Sequence, residues 1–225
     1  VCFKIQTMEW IETVSRVAHI LAGAIALVSG LLALGFFKVI KTHCMFGKIF
    51  FYAMTMVFIT AIHLSTVHGI DFLFCIAVLS YFSTYHGVRS LLFWKGTKSN
   101  YRDWTAALLT VGAGLYLIAK AAFSFNGNIR AEHIVYLAFG TLTSFLAIQS
   151  IRSIKTIETG NIKWFESHRG NMGGALIATI TAFSVTAIDF LPDLVAWLGP
   201  TIILTPLLTL LIRKTNKIYG IANQA

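Results

Sequence analysis

Charge is scarce in this chain. Only 12% of its 225 residues are Asp, Glu, Lys or Arg, against 56% hydrophobic. A water-facing domain surface carries roughly 25–35% charged residues, so the composition excludes a soluble globular class and leaves a polytopic α-helical membrane protein. Acidic residues are the scarcest, nine against 18 Lys and Arg. Cysteine is limited to Cys2, Cys44 and Cys75. No two stand at metal-type spacing and nothing marks a disulfide framework, so three unpaired thiols are expected. Proline occurs three times, with Pro200 and Pro206 both in the last apolar run. There each removes a backbone donor and predicts a kink. The chain has no Gly-rich phosphate loop, zinc-finger spacing or basic-aromatic stretch, which removes nucleic acid as an expected partner. A Ser-His-Asp pattern, a His-Glu-x-x-His helix and a signal-peptide pattern are also missing, as is a lysine in the last run that could form a retinal Schiff base.

What is present is a series of seven apolar runs, at about 14–36, 49–67, 72–94, 104–125, 133–151, 171–191 and 194–212. Each is long enough for about 30 Å of hydrocarbon. The expected fold is all-α, a seven-transmembrane-helix bundle forming one transmembrane domain over 1–225. The basic residues then divide by side. Lys38, Lys41, Lys48, Arg89, Lys95, Lys98, Arg102, Arg152, Lys155, Lys163, Arg169, Arg213, Lys214 and Lys217 fall on one side, and Lys4, Arg16, Lys120 and Arg130 on the other. The positive-inside rule orients the chain with its N-terminus outside and its C-terminus in the cytoplasm.

Two echoes suggest duplication. "ITAIH" (59–63) closes the second run and "VTAID" (185–189) the sixth, 126 positions later, and "IDFLF" (70–74) is answered by "IDFLP" (188–192). His19 and His133 open runs one and five, while His43 and His168 precede runs two and six. The matches keep their order and agree with the topology, so a parallel 3+1+3 repeat is expected, an architecture used by transporters.

Polar groups inside apolar spans are rare and commonly functional. Glu12, Arg16 and His19 share one helical face, which continues into Gly23 and Gly30, small residues that permit close helix contact. That face reads either as an ion pair above a packing seam or as a seam carrying His19 into an outward-open cavity. His63 is expected to point inward and His68, about 140° further round a helix, to be a solvated turn residue. Thr179, Thr186 and Asp189 align on one face of the sixth span. Under the repeat, His19, His63, His133 and Asp189 gather near the outer surface. Such donors suit zinc, copper or iron, or a proton relay. Lys120 and Glu132, at the same level, are competing partners for Asp189, and a hydrogen-bonded rim without ligand is the alternative. A second group, His43, His86, Arg89 and His168, lies toward the cytoplasm. Two histidine groups on opposite sides invite a two-haem reading. However, His43 and His63 are about 30 Å of helix apart and His43 precedes its span, so a metal ion fits better than haem b. Arg89 and Arg169 are expected at lipid headgroups or helix ends. Residues 161–167, "NIKWFES", read as a short amphipathic helix on the cytoplasmic leaflet.

The segments "HILAGAIALVSGLLAL" (19–34), "THCMFGKIFFYAM" (42–54), "HRGNMGGALIATITAFSV" (168–185) and "LPDLVAWLGPT" (191–201) resemble an uncharacterised family of bacterial multi-pass membrane proteins. In that family a His opens the first segment, the second carries Leu-His-Arg with Gly-Arg or Gly-Lys, and the third has His followed by Met. The matching positions here are His19, then His43 with Gly47 and Lys48, then His168 with Met172. The chain departs at Cys44, where Arg is expected, and at Asp189, where the family is closer to Asn. The resemblance implies the spans, three His positions and a bacterial inner membrane, and it implies no activity. Three functions remain open from sequence. One is a metal or small-ligand binder at the outer cluster. Another is a small-solute transporter built on three-helix repeats. The third is a non-catalytic subunit whose lipid-facing spans dock a membrane-protein partner or a second copy.

Overall fold

A computed structural model describes residues 2–158 and 164–218 of the chain. The described residues form seven helices and no strand: α1 (Cys2–Gly35), α2 (Ile40–Val67), α3 (Asp71–Trp94), α4 (Tyr101–Phe123), α5 (Ala131–Glu158), α6 (Trp164–Ala187) and α7 (Asp193–Ile218). Each contains one of the expected apolar runs or most of it. Five are long and apolar enough to cross a membrane: α1, α2, α4, α5 and α7. The expected count of seven is therefore corrected to five on length and composition. At 24 residues each, α3 and α6 are long enough but not apolar enough.

Packing supplies the physical reason. α3 and α6 lie against each other at the centre, with the α1–α2 pair on one side and the α4–α5 pair on the other. α7 leans on α6 and, more lightly, on α5. Twelve of the 24 residues of α3 are buried. Only Glu166, Gly170, Ala182, Phe183, Thr186 and Ala187 of α6 are exposed. A helix covered by other helices needs no apolar outer face, so it can carry Ser, Thr and His inward. Ser83, Thr84, His86 and Ser90 of α3 and Thr179, Thr181 and Ser184 of α6 are all buried. The outer helices instead expose large apolar side chains, such as Ile20 and Val28 of α1, Leu108 and Leu115 of α4, and Ile203 and Leu207 of α7.

Helix contacts in an apolar medium rest on close packing more than on the hydrophobic effect, and glycines make two of these contacts. A Cβ on Gly114 of α4 would meet the Gly140 carbonyl oxygen of α5 at 2.9 Å, and a Cβ on Gly140 would meet the Gly114 carbonyl at 2.9 Å. The two backbones touch. Gly30 packs under Leu176 and Phe50, whereas Gly23 has nothing within 4 Å of its Cβ position. The expected α1 seam thus narrows to Gly30. The turns after α2 and α3 are Schellman caps. Gly69 (φ 64°) and Gly96 (φ 86°) hold the left-handed C′ position, and the Ile70 and Thr97 amides reach back to Ser65 and Leu92.

One other expectation changes. Trp164 to Ser167 form the first turn of α6 and not a separate surface helix, while 161–163 lie outside the described residues. α7 stays helical through Pro200 and Pro206. The packing also does not show the repeat. α1 runs along α2, but among the described residues α5 makes no contact with α6.

Candidate ligand cavity

The missing α5–α6 contact leaves a cavity of about 560 Å³ at the end of the bundle that holds the Lys and Arg excess. Its wall on α5 is Leu146, Gln149, Ser150 and Ser153, spaced i, i+3, i+4, i+7 and so on one helical face. The α6 wall is Ser167, Gly170 and Asn171, again on one face. The exposed side chains of Arg152 and Glu166 stand at the rim with opposite charge.

His86 of α3 forms the floor. It is 2% exposed and lies flat against Phe82, with ring centroids 5.8 Å apart and planes at 8°. The Ser150 hydroxyl is 3.1 Å from its Nδ1 and 3.2 Å from its Nε2, so this one cavity-wall hydroxyl reaches both ring nitrogens. Ser90 donates to the His86 carbonyl (2.9 Å) and meets the Ser167 hydroxyl at 2.7 Å, which joins α3 to the opposite wall. Asn171 donates to the Ser167 carbonyl at 2.8 Å. The cavity's polar groups are thus hydroxyls, amides and one imidazole, set in a lining that is mostly apolar surface, with an ion of each sign at its mouth.

Of the expected cytoplasmic group, His86 alone lines this cavity. Arg89, one turn on, points toward α4. Its guanidinium makes a two-pronged pair with Asp103 in the first turn of α4 at 2.6 Å and 2.6 Å, so of its two expected places it takes the helix end. His43 and His168 meet separately, with ring centroids 6.3 Å apart and planes at 82°. The His43 Nδ1 donates to the Ala33 carbonyl (2.8 Å) and the His168 Nδ1 to the Gly87 carbonyl (2.9 Å).

The outer group is dispersed. His19 on α1 pairs with Thr60 of α2 through Nδ1 at 2.9 Å. His63 is half-buried, with its Nδ1 buried and unpartnered. His133 is 4% exposed, accepts from the Arg130 amide at Nδ1 and sits edge-on to Phe125. It belongs to α5, which packs against α3, α4 and α7 and not against α1 or α2. α6 ends at Ala187, so Asp189 falls in the exposed turn beyond it and off the face that carries Thr179. Thr186 is exposed and bonds the Ala182 carbonyl. Among the described residues no three His, Cys, Asp or Glu gather as a metal ion would require.

The supporting residues have other partners than Asp189. Lys120 bonds Asp71 at 3.0 Å, beside the Tyr116 hydroxyl at 2.6 Å, and Glu132 pairs with Arg130 at 2.6 Å. Glu12 takes both Arg16 (2.6 Å) and His68 (3.2 Å), so His68 is exposed but not free. Comparison with family descriptions, curated proteins and solved structures finds no match.

Sequence reasoning missed Ser150, Ser167, Gln149 and Asn171, and it missed Asp103. One signal was available for Asp103. Asn100 and Asp103 form a capping box at the start of α4, with Asn100 accepting from the Asp103 amide and Asp103 from the Asn100 amide.

Proposed function

We propose that this chain is a multi-pass membrane protein that binds a small polar solute, entering from the cytoplasmic side, in the cavity between α3, α5 and α6. The observation that carries the reading is His86, almost wholly buried at the floor of a cavity walled by Ser150, Ser167 and Asn171. A concave site with a few convergent polar groups is the common form of a small-ligand site. With Arg152 and Glu166 both at the rim, a zwitterionic or neutral hydroxylated solute is the best match, since a purely anionic or cationic one would face a like charge there. The 14-to-4 division of Lys and Arg supports an N-out, C-in orientation with the cavity facing the cytoplasm. The central position of α3 and α6 supports all seven helices crossing, the inner two shielded by the others. Cavity geometry favours this site over the outer histidines.

The test is thermal unfolding of the detergent-purified protein against a panel of amino acids, polyols and small organic acids and amines. A solute present at about 100 times its Kd adds roughly 2.7 kcal/mol to folding stability, a shift of several degrees. The expected result is a zwitterionic or hydroxylated solute that stabilises the wild type and not Ser150→Leu or Asn171→Leu. If every solute acts equally on all three proteins, the cavity is not a binding site.

A further inference from the structure

His43 and His168 come from different helices, and each is held by a carbonyl of a third or fourth. His43 of α2 is anchored on Ala33 of α1, and His168 of α6 on Gly87 of α3. A carbonyl oxygen only accepts, so each Nδ1 carries a proton, and the nitrogen left to bind an ion is Nε2 in each ring. A backbone carbonyl that holds Nδ1–H in this way is a common means of orienting ligating imidazoles. Two imidazoles that share one ion at roughly 2.0–2.1 Å per bond have ring centroids about 6.4 Å apart when the N–metal–N angle is straight, and closer when it is bent. The observed 6.3 Å lies within reach of one shared ion.

One further donor is nearby. Met172 lies one turn beyond His168 on α6, and its Sδ rests against Gly87, 2.7 Å from where a Cβ would stand. Gly87 therefore holds the His168 ring through its oxygen and carries the thioether on its Cα.

We propose that His43 and His168 bind a copper(I) ion, with the Met172 thioether as a weaker third donor. The donor chemistry selects the metal. Two neutral imidazoles and a thioether include no carboxylate or thiolate to balance a divalent charge, and soft sulfur favours copper(I) over zinc or the hard cations.

The experiment is an anaerobic titration of the detergent-purified chain, in a Cys2→Ser/Cys44→Ser background that removes two competing thiols, with copper(I) buffered by bathocuproine disulfonate. One equivalent per chain is expected, with affinity falling about 100-fold in His43→Gln and in His168→Gln and about tenfold in Met172→Leu. Glutamine keeps an N–H for the Ala33 or Gly87 carbonyl, so metal-free thermal unfolding of these variants should stay near the parent. X-ray absorption of the loaded parent should show two nitrogen ligands and a longer sulfur, a readout that does not depend on any variant folding. The proposal is overturned by a parent that binds no copper, by Gln variants that bind it as tightly, by zinc outcompeting copper(I), or by a Soret band in the purified protein.

Discussion

Arg89 gives Nε to one oxygen of Asp103 and a terminal nitrogen to the other, while Tyr85 donates to Asp103 at 2.8 Å and the Lys98 carbonyl accepts from Arg89 at 3.2 Å. The two charged side chains are 9% and 0% exposed. Every acceptor site on the carboxylate faces a donor, which is the condition under which a buried pair repays its desolvation. Removing one partner leaves the other charge without compensation. Asp103→Ala should therefore cost about 3–5 kcal/mol of folding stability, and Tyr85→Phe, which removes one hydrogen bond, about 1 kcal/mol. Replacing both partners by apolar residues, Arg89→Met with Asp103→Leu, should cost less than Asp103→Ala alone. Denaturant unfolding in mixed micelles checks the order, and a double variant as unstable as the single would refute the desolvation argument. Part of this site can be read from the chain. Asn100 and Asp103 announce a helix start by their spacing, but Arg89 finds them across a turn whose geometry depends on Gly96 holding φ 86°.

At the scale of the helices, the contact between α4 and α5 depends on two glycines that have no Cβ to separate the backbones. Gly114→Ala places a methyl group within contact of Ser144 and the Gly140 carbonyl, where rigid backbone cannot yield, and should destabilise by about 1–3 kcal/mol. Gly112→Ala, on the same helix with nothing within 4 Å, should be neutral or stabilising by up to about 1 kcal/mol. The same unfolding assay compares the two, and equal effects would mean that helix propensity and not the crossing governs. Apolar runs made all seven helices legible because a span is a local property of consecutive residues. The ends were less legible. α2 starts at Ile40 and α6 at Trp164, extending well beyond the apolar runs through polar segments. The cavity wall could not be read at all. Gln149, Ser150, Ser153 and Asn171 are uncharged residues within apolar helices, and they line a space only because α5 and α6 stay apart. The outer cluster failed for a related reason, since it assumed equivalent places for α1 and α5, which pack against different neighbours.

For the molecule as a whole, hydropathy and position compensate. The two helices less apolar than a lipid-facing span are the two enclosed by the rest, as a bundle with a polar centre requires of its inner helices. This has a topological consequence. If α3 and α6 cross, the α2–α3 and α4–α5 turns lie on one side, and the α1–α2 and α3–α4 turns lie on the other with the basic residues. Cys44, exposed near the start of α2, is a built-in marker of the basic side. In cells expressing the chain with Cys2→Ser, an impermeant maleimide should leave Cys44 unlabelled until the membrane is opened. In a Cys2→Ser/Cys44→Ser background it should label Val67→Cys and Asn128→Cys in intact cells, and Thr97→Cys only after opening; all three are exposed and none replaces a left-handed glycine. Thr97 decides whether α3 crosses, because it is separated from Val67 by that helix and its turns alone. Labelling of Thr97→Cys and Val67→Cys on the same side would leave α3 on the membrane surface and remove the shielded-centre explanation. Labelling of Cys44 and Thr97→Cys in intact cells, with Val67→Cys and Asn128→Cys protected, would keep α3 crossing but invert the bundle. That outcome would turn the α3–α5–α6 cavity to the outside and make the solute it binds an extracellular one.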